Sequence, residues 1–456
     1  MYVPRQRSVK AGAVTTRLDA RARPLFGTTG ARSATPTMSP IAGMASANAP
    51  PFLLPGEHFA AALLFLLAGS AGVFLVSGDL ANGAYLSPRV ASVTHLFTLG
   101  WITTSIMGAL YQFLPVALGK PIGSVRLAHL TFLLYVPGLC AFVSGLVLFR
   151  TTLMLVGAAM FGTGILLFVG NVAATLRASE RRDVTWWALG CAVAFLVITL
   201  VFGVALAGNL RWGYLGAGRV TSLGVHLHVA VAGWVLLVMI GVAHRLLPMF
   251  LLSHGAGNRF AKAAVALVAA GAGVLAFLHH ASRLVSFWLP AILIASGCVA
   301  FLLQARAFYA RRHRPVLDPG MRLAAAALSL LGVALVLSTP VLLSVANARL
   351  STAYVLAVLL AISLFIAAHY YKIVPFLVWY HRFGPLAGKR PVPRVSDLYS
   401  ARIATLAAGA LVVGAAGLIG AVVFGMPVVA RTAALVFACG VVIESAQMVQ
   451  LWRTRP

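Results

Sequence analysis

Twelve long apolar runs, separated by short polar or basic stretches, organise nearly the whole chain. They lie near residues 58–78, 91–118, 125–148, 152–176, 184–207, 222–252, 260–280, 285–308, 321–345, 350–379, 401–424 and 429–451. An α-helix rises about 1.5 Å per residue, so about 20 residues cross the hydrocarbon of a bilayer, and every run is long enough. The pattern predicts an all-α polytopic membrane protein of twelve transmembrane helices. Residues 1–50 break it. They are rich in Arg, Ser, Thr and Ala, hold one acid, Asp19, and lack the apolar core of a secretory signal. They are expected to form a disordered basic cytoplasmic tail ahead of a membrane domain over 51–456. A transit peptide would share this bias, and Met38 or Met44 are alternative starts.

Composition strengthens the membrane reading. The chain is 61% apolar and 9% charged, with eight acidic residues; a soluble domain has about a quarter of its residues charged. A net charge of +27 would suggest nucleic acid in a soluble protein. Here the cations sit in short loops, so they report topology, and no nucleic-acid partner is expected. The loops after even-numbered helices hold Lys120 and Arg126; Arg177, Arg181 and Arg182; Arg259 and Lys262; Arg306, Arg311, Arg312 and Arg314; and Lys389, Arg390 and Arg394. Those after odd-numbered helices hold one or two basic residues each. The positive-inside rule then places both termini in the cytoplasm, and twelve spans agree with that parity. The expectation is a multi-pass protein of a bacterial inner membrane, with lipid as its first partner. Cys140, Cys191, Cys298 and Cys439 lie in apolar runs without CxxC spacing and read as packing residues.

An internal repeat is visible. The second run reads His95-LFTL-Gly100-Trp101-ITTSIM-Gly108-ALYQFL-Pro115, and the sixth His228-VAVA-Gly233-Trp234-VLLVMI-Gly241-VAHRLL-Pro248. The tenth keeps only HYYKIVP, ending at Pro375, with Val355 where the histidine would fall. These prolines are 133 and 127 residues apart, four helices each time. Three pseudo-symmetric four-helix units about an axis along the membrane normal are predicted, with pockets between units.

Topology gives each histidine a depth. His95, His226 and His228 begin the second and sixth helices, and His279 and His280 end the seventh, so all five fall at the outer level. His244, His254, His369 and His381 fall at the inner level. Ionisable groups within a membrane are costly and by default mark function, and neutral imidazole suits haem iron, copper and zinc. A single histidine more often bonds across helices or sits at the interface; five at one level are harder to explain so. His226 and His228 lie about 200° apart around a helix and point to nearly opposite sides. His279 and His280 could reach one site together. His244, Tyr111 and Tyr371, each four residues before a repeat proline, read as structural groups at helix ends.

On these residues the chain resembles the catalytic subunit of the haem–copper oxidase superfamily (cytochrome oxidase subunit I and the membrane nitric oxide reductases), as a divergent member. His95 through GALYQFLP is similar to the family's low-spin haem helix, and His279-His280 to its copper-ligating pair. The resemblance implies twelve helices in three units, haem with copper as a further option, and a role in handling electrons or a diatomic gas, O2 or NO. It also implies an electron donor or accessory subunit. His95 and His228, the repeat-equivalent pair, are the expected haem axial ligands, and His226, His279 and His280 the expected second metal site. Arg219 and Arg283 are cations for haem propionates. The chain departs from the family at Ala353 and Val355, where two haem-ligating histidines belong, and it lacks an HPEVY motif. A cofactor-free secondary transporter or metal-ion permease, and a structural or assembly subunit with relic histidines, are the alternatives.

Overall fold

A computed structural model describes residues 49–343 and 345–456. The predicted tail lies, but for its last two residues, outside them. Twelve helices are long and apolar enough to span a bilayer, and no β-strand occurs among the described residues. They are α1 (Leu53–Leu75), α2 (Pro88–Leu118), α3 (Val125–Val147), α4 (Thr151–Ala178), α5 (Val184–Trp212), α6 (Gly218–Leu251), α7 (Arg259–Leu278), α8 (Leu284–Ala310), α9 (Pro319–Leu342), α10 (Ala348–Leu386), α11 (Ala401–Phe424) and α12 (Pro427–Arg453). The protein is an all-α, multi-pass membrane protein.

Local chemistry sets the helix ends. Ser87, Ser124, Asp183, Asp318, Asn347 and Ser400 each precede a helix and accept a hydrogen bond from a first-turn amide, satisfying donors that have no partner within the helix. Two boundaries differ from the apolar pattern with consequences for chemistry. Helix α1 starts at Leu53, so Glu57 and His58 lie inside it. Both are partnered there: Glu57 Oε1 meets His129 Nδ1 of α3 at 2.8 Å, and His58 Nδ1 donates to Leu54 O. Helix α7 stops at Leu278, so His279 and His280 lie in the five-residue turn to α8 rather than in the last helical turn. So short a connection leaves no room for another turn of helix before the chain reverses.

Helices α2, α6 and α10 form the interior. The apolar windows of these three are 83%, 67% and 72% buried, against 22–56% for the other nine. The most extensive packing joins chain neighbours, α3 with α4, α7 with α8, α9 with α10 and α11 with α12, while α12 packs back on α1. Between apolar helices in lipid the hydrophobic effect contributes little, and close van der Waals approach at small residues takes its place. The repeat glycines supply that approach in matched positions. A Cβ on Gly100 would lie 2.6 Å from Phe65 of α1, and one on Gly233 2.8 Å from Phe195 of α5. One turn-pair lower, Gly108 faces His58 and Gly241 faces Ala188 at 2.8 and 2.9 Å. In the third unit the small residue has changed sides: Ala368 of α10 takes the repeat position, and Gly320 of α9 meets its carbonyl at 2.8 Å. The repeat read from sequence is thus a repeated helix crossing.

The tightest crossings predict stability. A Cβ on Gly157 of α4 would lie 2.3 Å from the Phe142 nitrogen and 2.6 Å from the Gly138 carbonyl of α3, backbone that cannot yield. Gly157→Val is expected to destabilise by roughly 1–3 kcal/mol, the usual range for overpacking. Gly190→Ala, with nothing within 4 Å, should be neutral. Thermal unfolding of the two variants in detergent checks this, and equal midpoints would contradict it.

Candidate functional site

Helices α2 and α6 leave α-geometry at the same place in the repeat. His95 ends an α-helical stretch, and Leu96–Thr103 continues as π-helix; His228 ends another, and Val229–Leu236 continues as π-helix. The wider π turn is rare and is often found at functional sites. Shorter π turns open α8 and close α10, over Leu284–Trp288 and Trp379–Phe383. Carbonyls in α2 are supported by hydroxyls: Thr103 Oγ1 donates to Thr98 O at 2.8 Å, and Thr104 Oγ1 and Tyr135 Oη both donate to Leu99 O. The two long π segments are joined directly, since Trp234 Nε1 donates to Thr103 Oγ1 at 3.3 Å. On the other side of α2, Trp101 packs on Tyr370 of α10 at 4.9 Å, and Tyr370 Oη bonds Ser105 at 2.8 Å.

These segments border a cavity of about 260 Å³, lined by residues of α2 to α6 and α8 to α10. His95, His226 and His228 all line it, and no Asp, Glu, Lys or Arg does among the described residues. His95 Nδ1 lies 2.7 Å from Ala91 O, with its ring edge-on to Phe142. His226 Nδ1 lies 3.1 Å from Thr199 O of α5, and its Cε1 is 3.0 Å from where a Cβ on Gly203 would be. His228 Nδ1 lies 2.8 Å from Gly224 O, and its ring stacks on Tyr354 of α10, 6.4 Å between centroids. A ring nitrogen facing a carbonyl must carry the hydrogen, so in the neutral form of all three rings the lone pair is on Nε2. None of the three Nε2 atoms has a hydrogen-bond partner among the described residues. A carbonyl behind the imidazole fixes its tautomer and orientation, the arrangement found behind metal-ligating histidines. The opposed directions expected for His226 and His228 are kept, one leaning on α5 and the other on α10.

His279 and His280 do not join them. Their rings lie 3.9 Å apart in the α7–α8 turn, and neither lines the cavity. His279 packs edge-on against Phe202, the neighbour in sequence of the Gly203 under His226, and its Nδ1 donates to Ala276 O. Among the described residues no group of three or more His, Cys, Asp or Glu side chains stands ready to hold a metal ion. The expected trio of His226, His279 and His280 is therefore not gathered in this cavity: His226 lines it and the pair stays in the α7–α8 turn, whereas the expected haem pair, His95 and His228, shares the cavity with His226.

No protein-family model matches the chain, and neither does any curated protein. The cavity must be read on its own residues.

Thr199, Gly203 and Tyr354 were not distinguishable in the sequence as parts of this site. Small and hydroxyl residues are too frequent in membrane helices to single out, and only the fold brings α5 and α10 to the imidazoles. At the opposite end, Tyr371 bonds Gln447 of α12 at 3.1 Å instead of a carbonyl freed by Pro375. Glu444 of α12 is fully buried, with both oxygens unpartnered among the described residues.

Gly203→Val would push directly on the His226 ring. Modification of His226 by a histidine-acylating reagent, followed by peptide mass spectrometry, should rise severalfold over the parent protein. An unchanged pattern would mean that Gly203 does not seat this ring.

Proposed function

We propose that this chain is a divergent haem-binding membrane protein of the haem–copper oxidase type, one that handles electrons or a diatomic gas, O2 or NO. One observation carries the reading: the repeat-equivalent His95 and His228, each anchored through Nδ1 to a carbonyl and each followed by a π-helical stretch, present free Nε2 atoms to one apolar cavity. His95 and His228 would hold the iron through Nε2, and His226 is a further imidazole within the same walls. Haem held there would supply one-electron redox chemistry, and binding of O2 or NO would need an iron position that the histidines leave free. The remaining contributions are the chain's own. The carbonyls of Ala91 and Gly224 keep the rings oriented, Tyr354 backs His228, and the apolar lining excludes water. Arg219 and Arg283, at the same end of the bundle, would be cations for haem carboxylates.

The cavity's lack of carboxylates weighs against a cation permease, since such proteins line their pathways with paired acidic groups. Copper, on His226 of the cavity wall and the His279–His280 pair of the α7–α8 turn, is the second metal to look for. The orientation that suits this reading puts both termini in the cytoplasm of a bacterial inner membrane, with the imidazole cavity toward the outer face.

The test is a reduced-minus-oxidised optical spectrum of protein purified from a haem-competent host, with iron and copper analysis on the same sample. A Soret band with near-stoichiometric iron is expected, and His95→Ala should abolish the low-spin haem spectrum. A spectrum unchanged by His95→Ala would remove that ligand assignment. A colourless, metal-free protein would sink the proposal and leave a cofactor-free transporter or a structural subunit with relic histidines.

A further inference from the structure

A second cavity, about 950 Å³, opens at the end of the bundle opposite the imidazoles, between the N-termini of α5 and α7 and the C-terminal part of α6. Its chemistry is the reverse of the first. Arg182, Arg245 and Lys262 line it together with His244, and Asp183 is its one carboxylate. Asp183 is already engaged twice, capping α5 through the Trp186 amide and pairing with Arg245. Arg182 lies over the Trp186 ring at 4.3 Å and bonds the Ser179 carbonyl. The ammonium of Lys262 has no hydrogen bond or ion pair among the described residues. His244 Nδ1 is buried and likewise without a partner. Helix α7 begins beside them at Arg259 with no side-chain cap, so its positive end adds to the field. Three cations against one carboxylate, an unpaired ammonium and an orphaned imidazole nitrogen call for an anion with several acceptor oxygens.

The depth of the cavity indicates what carries that anion. Below the charged rim it is walled by Cys191 of α5 and by Val265, Ala266 and Ala269 of α7. Cys191 lies eight residues past Asp183 in the sequence, which along a helix is roughly 12 Å farther into the membrane. Trp187, half-exposed at the rim, is an aromatic of the kind that sits at the headgroup level. A polar rim over an apolar furrow fits a molecule with a phosphate head and a hydrocarbon tail. We propose that this cavity is a binding site for an anionic membrane lipid, with the headgroup phosphate held by Lys262, Arg245 and the start of α7 and an acyl chain lying in the furrow beside Ala266. A free phosphate would satisfy the rim alone and leave the furrow unused. The proposal is independent of any haem.

Native mass spectrometry in neutral detergent tests it, with phosphatidylglycerol, phosphatidylcholine and inorganic phosphate titrated separately. Wild-type protein is expected to retain phosphatidylglycerol in preference to phosphatidylcholine. Lys262→Gln should weaken phosphatidylglycerol retention roughly fivefold, the effect of one cation near an anionic headgroup. Lys389→Gln, in the exposed loop after α10, should leave it unchanged. Ala266→Trp fills the furrow without touching the rim charges and should displace the lipid. Equal retention of the two lipids, or retention indifferent to both Lys262→Gln and Ala266→Trp, would overturn the proposal. Competition by inorganic phosphate at the lipid's own concentration would also overturn it, by assigning the rim to a soluble anion.

Discussion

Every backbone amide and carbonyl inside hydrocarbon must find a partner within the protein, and the rest of this structure follows from that requirement. It makes the chain helical throughout its spans, and it makes any departure from α-geometry conditional on a replacement donor. Helix α2 departs over Leu96–Thr103, and the replacements are at hand: Thr103, Thr104 and Tyr135 supply hydroxyls to Thr98 and Leu99. Trp234 then ties the equivalent stretch of α6 to the same Thr103. The cavity is bordered by the two deformations, so its walls rest on a few side-chain hydrogen bonds.

The same economy governs charge. Of the acids in the described chain, Asp183 pairs with Arg245, Asp318 with Lys372 and Arg314, Glu57 with His129, and Glu180 with Lys120. Several of these pairs hold one helix end against another, joining polar compensation to helix position. Asp79 and Asp397 form no ion pair among the described residues, and Glu444, fully buried with neither oxygen partnered there, stands furthest from this rule. The two cavities divide polar chemistry between the two ends of the bundle, imidazoles without Asp, Glu, Lys or Arg among the described residues at one, and guanidinium and ammonium groups beside His244 at the other.

How much of this could be read beforehand differs by feature. The twelve spans were legible because about 20 apolar residues in a row have no stable place except a bilayer. The repeat was legible because close helix crossings require small residues at fixed spacing, and Gly100, Gly108, Gly233 and Gly241 keep it. The crossing of α9 with α10 was hidden, because Gly320 moved the small residue to the partner helix and a linear comparison of α10 cannot show that. The π-helical stretches were hidden for a related reason: their compensating hydroxyls bond five residues back or come from α3, and hydroxyl residues alone do not announce such geometry.

Local composition and period suffice for the fold class, the number of spans and the helices that carry His95, His226 and His228. Which imidazoles share a space depends on how the helices pack. His95, His226 and His228 come together because α2 and α6 pack in the interior with α5 and α10 beside them. His279 and His280, equally suggestive in sequence, are left out because α7 ends at Leu278 and the turn directs their rings toward each other and Phe202. Proximity of side chains from different helices depends on packing angle and rotation about each axis, and neither is encoded in the spacing along one chain segment.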